Sequence, residues 1–216
     1  MSRSAYALDA QVAGADALIM VVPYYSRPST EGLLGHVRRV TRATSLPLIL
    51  EFDARTALSP SIQEMAKLML VDGVAGVIDH SANPLHIECL SAAHSSRAFL
   101  TAHEPNAIAS AAFGAHGLFS AVANVFPTEV LALWSACERG DFDGARHIHR
   151  HLLPLMNVVE EEGVPALKLA MYPQIGLDPT VRLPLVRAGS QVRARLNDAL
   201  KDARSLRDAV SREAVR

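Results

Sequence analysis

Five short, almost uninterrupted apolar runs constrain the fold more than any other feature: Ala17–Val22, Leu46–Leu50, Gly73–Ile78, Ala98–Thr101 and Gly117–Val122. None alternates polar with apolar residues, which is the signature of strands covered on both faces, as in a parallel sheet. Amphipathic stretches separate them, so strand and helix alternate and the unit of construction is βαβ. An open five-strand sheet with helices on both sides is one architecture compatible with this pattern. No Gly-rich nucleotide loop follows the first strand, however, so nothing supports a dinucleotide fold.

The helices carry their own start signals. Arg27-Pro28-Ser29-Thr30-Glu31 precedes a helix predicted from Glu31 to Thr44, with Leu33, Leu34, Val37 and Val40 on one face. Ser59 and Pro60 suit the cap and first turn of the next. Asn83-Pro84 opens a third, and Pro105 and Pro127 start two more. Beyond the fifth run, Pro127–Gly140, Asp143–Glu161 and Val164–Tyr172 read as successive helices with no strand between them. The last stretch, Ser190–Arg216, is charged, with sparse apolar residues at Val192, Leu196, Leu200, Leu206 and Val210, and reads as a solvated helix. The expected organisation is a barrel segment over 1–125, helices of the same domain over 126–187 and a charged helical tail over 188–216.

Composition excludes several classes of function. The 216 residues are 50% hydrophobic, enough for a sizeable core. Twenty-one basic residues face twenty-two acidic ones, which gives no electrostatic reason to expect nucleic acid or an anionic membrane as partner. The longest apolar stretch, Ala17–Pro23, is about a third of the ~20 residues a membrane span needs, and the first residues lack a secretory pattern. A cytoplasmic protein is the expectation. Cys89 and Cys137 lie in apolar helical patterns without metal-ligand spacing and read as small core residues in a reducing compartment. No cofactor is expected.

Particular residues go further. Gly14-Ala15-Asp16-Ala17, Val22-Pro23-Tyr24-Tyr25-Ser26-Arg27-Pro28 and Glu31-Gly32-Leu33 come first. Leu46-Pro47-Leu48-Ile49-Leu50 with Arg55-Thr56, then Gly76-Val77-Ile78-Asp79-His80-Ser81, follow. Gly114-Ala115-His116-Gly117-Leu118-Phe119-Ser120, Gly140-Asp141-Phe142 and Arg182-Leu183-Pro184-Leu185 complete the series. In this order they resemble the dihydrodipicolinate synthase / N-acetylneuraminate lyase family of pyruvate-dependent aldolases. The resemblance runs unbroken from about residue 5 to 187. It implies an α/β fold: a partial (β/α)8 TIM barrel, strands four to eight of the family, plus the C-terminal helical appendage. The family's first three strands, with the Gly-Thr-Thr-Gly-Glu loop that holds a keto-acid carboxylate, have no counterpart in this sequence.

The resemblance also implies chemistry, and the sequence departs from it. Family members form a Schiff base between pyruvate and a lysine at the end of strand six, because a protonated imine stabilises the carbanion. Here that position is Ile78, which has no nucleophile. The family's proton-relay tyrosine on strand five corresponds to Glu51, in a loop one residue shorter. Tyr25 resembles the tyrosine that family members insert into a neighbouring subunit's site, and Arg55 resembles the arginine that binds a substrate carboxylate. The only lysines are Lys67, Lys168 and Lys201, on an outer helix, a C-terminal helix and the tail.

Two readings follow. One is a non-catalytic homologue that has lost Schiff-base catalysis, with a keto acid as implied ligand and a homo-oligomer, or a hetro-oligomer with a related barrel subunit, as implied assembly. The other is a lyase or hydratase with lysine-independent chemistry. For that second reading Glu51, Asp53, Asp79, His80, His103 and Glu104 lie at strand ends, which in a barrel point to one mouth and offer donors for a divalent metal. None has ligand-type spacing. His147 and His151 share a helix face and read as solvated, while His149 points elsewhere.

Overall fold

The computed structural model describes residues 3–23, 25–53, 61–94 and 96–213. The chain begins with α1 (Arg3–Val12), β1 (Leu18–Val21), α2 (Thr30–Thr41), β2 (Leu48–Phe52), α3 (Ile62–Met69) and β3 (Val74–Asp79). There follow α4 (Leu85–Ala93), β4 (Ala98–Thr101), a 3-10 turn (Glu104–Asn106), α5 (Ala107–Ala112) and β5 (Gly117–Leu118). A second 3-10 turn (Val122–Asn124) leads to α6 (Pro127–Glu138), α7 (Phe142–Glu162), α8 (Val164–Ile175) and α9 (Ser190–Glu213). Two compact units result: Met1–His103 with Ala112–Phe119, and Glu104–Ala111 with Ser120–Arg216. Among the described residues no helix is long and apolar enough to cross a membrane.

The first unit holds a five-stranded sheet, parallel throughout, in the order β1-β2-β3-β4-β5. Strands therefore follow one another in space as in sequence, with no reversal of the kind that defines a doubly wound sheet. The core agrees. Met20 and Val22, Leu48, Leu50 and Phe52, Val77 and Phe99 join one buried cluster with Leu33, Val37 and Val40 of α2, Met65, Leu68 and Met69 of α3, and Ile87 and Leu90 of α4. All the helices in that cluster cover the same face of the sheet, the arrangement of a barrel segment, and the open two-sided alternative is excluded.

Strand alternation then sends Ile49, Glu51 and Ile78 to the opposite face. Between Leu48 and Ile49 the β2–β3 register shifts, which lets Val74 and Val77, three apart, both face the helices. Gly76 is required beside this irregularity. A Cβ there would lie 2.3 Å from the Ala98 carbonyl oxygen, so β3 and β4 approach too closely for any side chain.

Helix starts follow capping chemistry. Ser29 caps α2, its side chain accepting from the Gly32 N–H at 3.2 Å. The cap of α3 is Ser61; Ser59 and Pro60 lie outside the described residues. Ser61 and Glu64 form a reciprocal capping box, and Thr30 donates to Glu64 at 2.5 Å, tying α2 to α3. These bonds, that from Thr30 foremost, hold the Glu64 carboxyl below its ordinary range. Cys137 is buried as expected, whereas Cys89 is exposed, because α4 turns Ile87 and Leu90 inward instead.

In the second unit α9 corrects the expectation of a solvated tail. Leu196, Ala199, Leu200, Ala203 and Leu206 are buried, and α9 packs on α7, whose Leu152, Leu155, Met156 and Val159 are also buried. The alanines complete a helical stripe that counting only large residues overlooks. Burying each leucine contributes roughly 1.5–3 kcal/mol, which offsets the ordering of a long charged helix. Arg195 pairs with Glu161 and Glu162 at the edge of this contact. On α7, His149 donates its Nε2–H to the Pro105 carbonyl at 3.1 Å, and burial holds its pKa down. His147 and His151 do share a face, their rings 5.1 Å apart edge to face.

Candidate functional site

The C-terminal ends of parallel strands in a barrel segment present their side chains together, and sites are built there. Register links Val21 to Glu51, Glu51 to Ile78 and Ile78 to Leu100 across β1 to β4. Ile78, at the family's lysine position, is fully buried. Two residues on, His80 faces the same side, and its Nε2 lies 2.8 Å from Glu51 Oε1. The two side chains are 20% and 15% exposed, so the pair is largely dry yet reachable from solvent. Both backbones are pinned: the Val22 N–H donates to the Glu51 carbonyl, and the His80 N–H to that of Phe52, each at 3.1 Å.

Not every strand-end group converges with this pair. Asp79 follows the alternation to the opposite face, where Phe52 is its register partner. It accepts from the Ser81 N–H at 3.0 Å and the Ser81 hydroxyl at 2.7 Å, and lies 3.5 Å from His86 Nδ1. Those bonds close the β3–α4 loop. Although Ser81, His86 and Asp79 are the residue types of a nucleophilic triad, the serine proton is given to the aspartate, so the imidazole does not activate it. His103 Nδ1 is buried without a hydrogen-bond partner among the described residues.

Glu104 belongs to the second unit, and is buried there. It accepts from the Ser120 hydroxyl and from the Val122 N–H at 3.1 and 3.3 Å. Burial, and secondarily Glu160, pushes its carboxyl up against the opposing effect of these bonds. β5 ends at Leu118, level with the end of its partner β4 at Thr101 and short of the run predicted to Val122. Among the described residues no group of three or more His, Cys, Asp or Glu is arranged to hold a metal ion.

The remaining site residues are placed as follows. Tyr25 is 92% exposed. Arg55 lies outside the described residues. Lys67 is exposed on α3, Lys168 donates to the Thr180 carbonyl, and Lys201 bonds Asp198 at 3.0 Å. The Glu51–His80 contact was not anticipated as a pair. Its signal was register: once Glu51 lies beside Ile78, residue 80 is the next on the same face.

Comparison with known proteins agrees with this architecture. The dihydrodipicolinate synthetase family profile matches residues 4–203. The 4-hydroxy-tetrahydrodipicolinate synthase of Ralstonia nicotianae is 34% identical over 197 residues, 90% of this chain and 67% of that protein. The synthase of Nitrobacter hamburgensis is 33% identical over 200 residues, 91% of this chain and 68% of its own length. Among solved structures, the synthase of Methylacidiphilum fumariolicum superposes with a TM-score of 0.91 at 26% identity, covering 97% of this chain and 71% of that one. The Aquifex aeolicus enzyme gives 0.85 at 29% identity, over 92% and 69%. This chain thus spans about two thirds of the relatives it matches, and on the profile match, the identities and the shared fold it belongs to the dihydrodipicolinate synthetase family of lyases.

Proposed function

We propose that this chain handles a keto acid without forming a Schiff base, the pyruvate-lysine step of its relatives having been lost. One observation carries the reading: the side chain at the lysine position is Ile78, fully buried between Glu51 and Leu100 in register. No amine is available there, and the ammonium groups of Lys168 and Lys201 are engaged by Thr180 and Asp198. The test is incubation of the folded chain with pyruvate and borohydride, followed by intact-mass measurement. An unchanged mass is expected, and a stoichiometric adduct overturns the reading.

Loss of the imine alone would leave a non-catalytic homologue acting as a subunit among related barrels. Tyr25 supports the assembly part of this reading, since a side chain 92% exposed is available to a second copy. The Glu51–His80 pair favours the alternative, a lysine-independent lyase or hydratase, because a carboxylate–imidazole pair at a strand end can move protons. The absence of a converging donor set among the described residues gives a metal-assisted version no geometric support.

A further inference from the structure

We propose that His80 is the proton-transfer residue of this site and that Glu51 is its positioning partner, acting at the carbon next to the carbonyl of a keto acid. The inference rests on the keto-acid reading above and assigns its chemistry.

The geometry sets the roles. A carboxylate accepts, so Nε2 of the neutral imidazole carries the proton in the 2.8 Å contact with Glu51 Oε1. That leaves the lone pair on Nδ1, the basic nitrogen of the pair. The tautomer is thus chosen by Glu51, as a buried carboxylate chooses it in a Ser-His-Asp triad. Ring and carboxylate are only 20% and 15% exposed, and buried Ile78 is two residues below His80 on the same face. In such a place a charge on the imidazolium is screened weakly, so the neighbouring carboxylate stabilises it more than it would in water. His80 also differs from the histidine at the start of α4. His86 faces a serine whose proton is already committed to Asp79.

The step balances without a co-reactant. The C–H bond next to the keto carbonyl breaks and the proton passes to His80 Nδ1. The electron pair forms the carbon–carbon double bond, and the carbonyl π pair moves to oxygen, giving an enolate. Return of the proton from Nδ1 restores the keto acid, and nothing is oxidised or reduced. In heavy water the returned hydrogen is deuterium.

The experiment uses the whole chain with pyruvate in heavy water, following loss of the methyl proton signal by NMR, with circular dichroism on every sample. Exchange faster than in buffer alone is expected. His80→Gln should slow it by about 10²-fold or more, the usual size of a general-base contribution. His80→Ala should recover part of the rate when free imidazole is added, which a purely structural histidine would not allow. Glu51→Gln should lower the rate by about 10-fold, with Glu51→Asp retaining more of it, because the acceptor survives. Folded chain exchanging only at the buffer rate overturns the assignment, as does undiminished exchange in His80→Gln. The borohydride experiment separates the two claims. No adduct and no exchange removes His80's role alone, whereas exchange accompanied by an adduct removes both.

Discussion

Two glutamates near strand ends occupy opposite situations. Glu51 closes β2 against a titratable ring, with 15% of its side chain exposed. Glu104, after β4, is sealed in the second unit against a hydroxyl and a backbone N–H. A carboxylate that faces only fixed donors can hold a loop, and Glu104 does so for the turn at Ser120 and Val122. One that faces an imidazole within reach of solvent can exchange a proton through it. Burial alone therefore says little about function, and the partner decides.

The largest expected effect tests how firmly the first of these places is held. Gly76→Ala puts a methyl group against the Ala98 carbonyl and forces β3 away from β4, just below Ile78. We expect a loss of about 3 kcal/mol in urea unfolding, the upper range for overpacking. His80 should move from Glu51 with the strand, so exchange activity should fall with stability. A change within ~0.5 kcal/mol would mean that β3 and β4 are not held as closely as the register requires.

Next come the glutamates themselves. Glu104→Ala strips the Val122 N–H of its acceptor and should cost about 2 kcal/mol. Glu51→Ala should cost no more than ~1 kcal/mol, because its partner keeps access to water. Equal losses would erase the distinction between pin and proton-transfer pair.

The smallest effect is a pH dependence. Burial raises the Glu104 carboxyl above its ordinary value of 4.5, so the folded state binds more protons than the unfolded chain. Its stabilising contribution is full below that value and is lost as pH rises through the folded pKa. Glu104→Gln removes this loss, so the variant should gain on the wild type between acid and neutral pH. Glu64 has the opposite sign. Its carboxyl is held down, so its contribution is present above 4.5 and disappears as pH falls through the lowered folded value. Unfolding curves collected across this range check both, and a wild-type-minus-Glu104→Gln difference that is flat with pH would contradict the assignment for Glu104.

Local patterns were the legible part of the molecule. The Ala98–Thr101 run matches β4 residue for residue, and Pro127 opens α6 where a proline tolerates the first turn. The errors share a cause. β5 stops early because its partner β4 ends at Thr101, and α9 is buried because alanines serve as packing surface once α7 is beside them. Asp79 is one of the strand-end polar groups, yet the two-residue alternation turns it away from His80.

The sequence by itself determined the order of strands and helices, the family, and the absence of an amine at residue 78, since these reside in residue identity and short-range periodicity. Tertiary structure alone decided that Glu51 meets His80, because the contact spans twenty-nine positions and depends on the parallel register of β2 against β3. It likewise decided that Glu104 is sealed. Burial and hydrogen-bond partners are properties of what folds against a residue, and nothing in the residue's own neighbourhood of the chain encodes them.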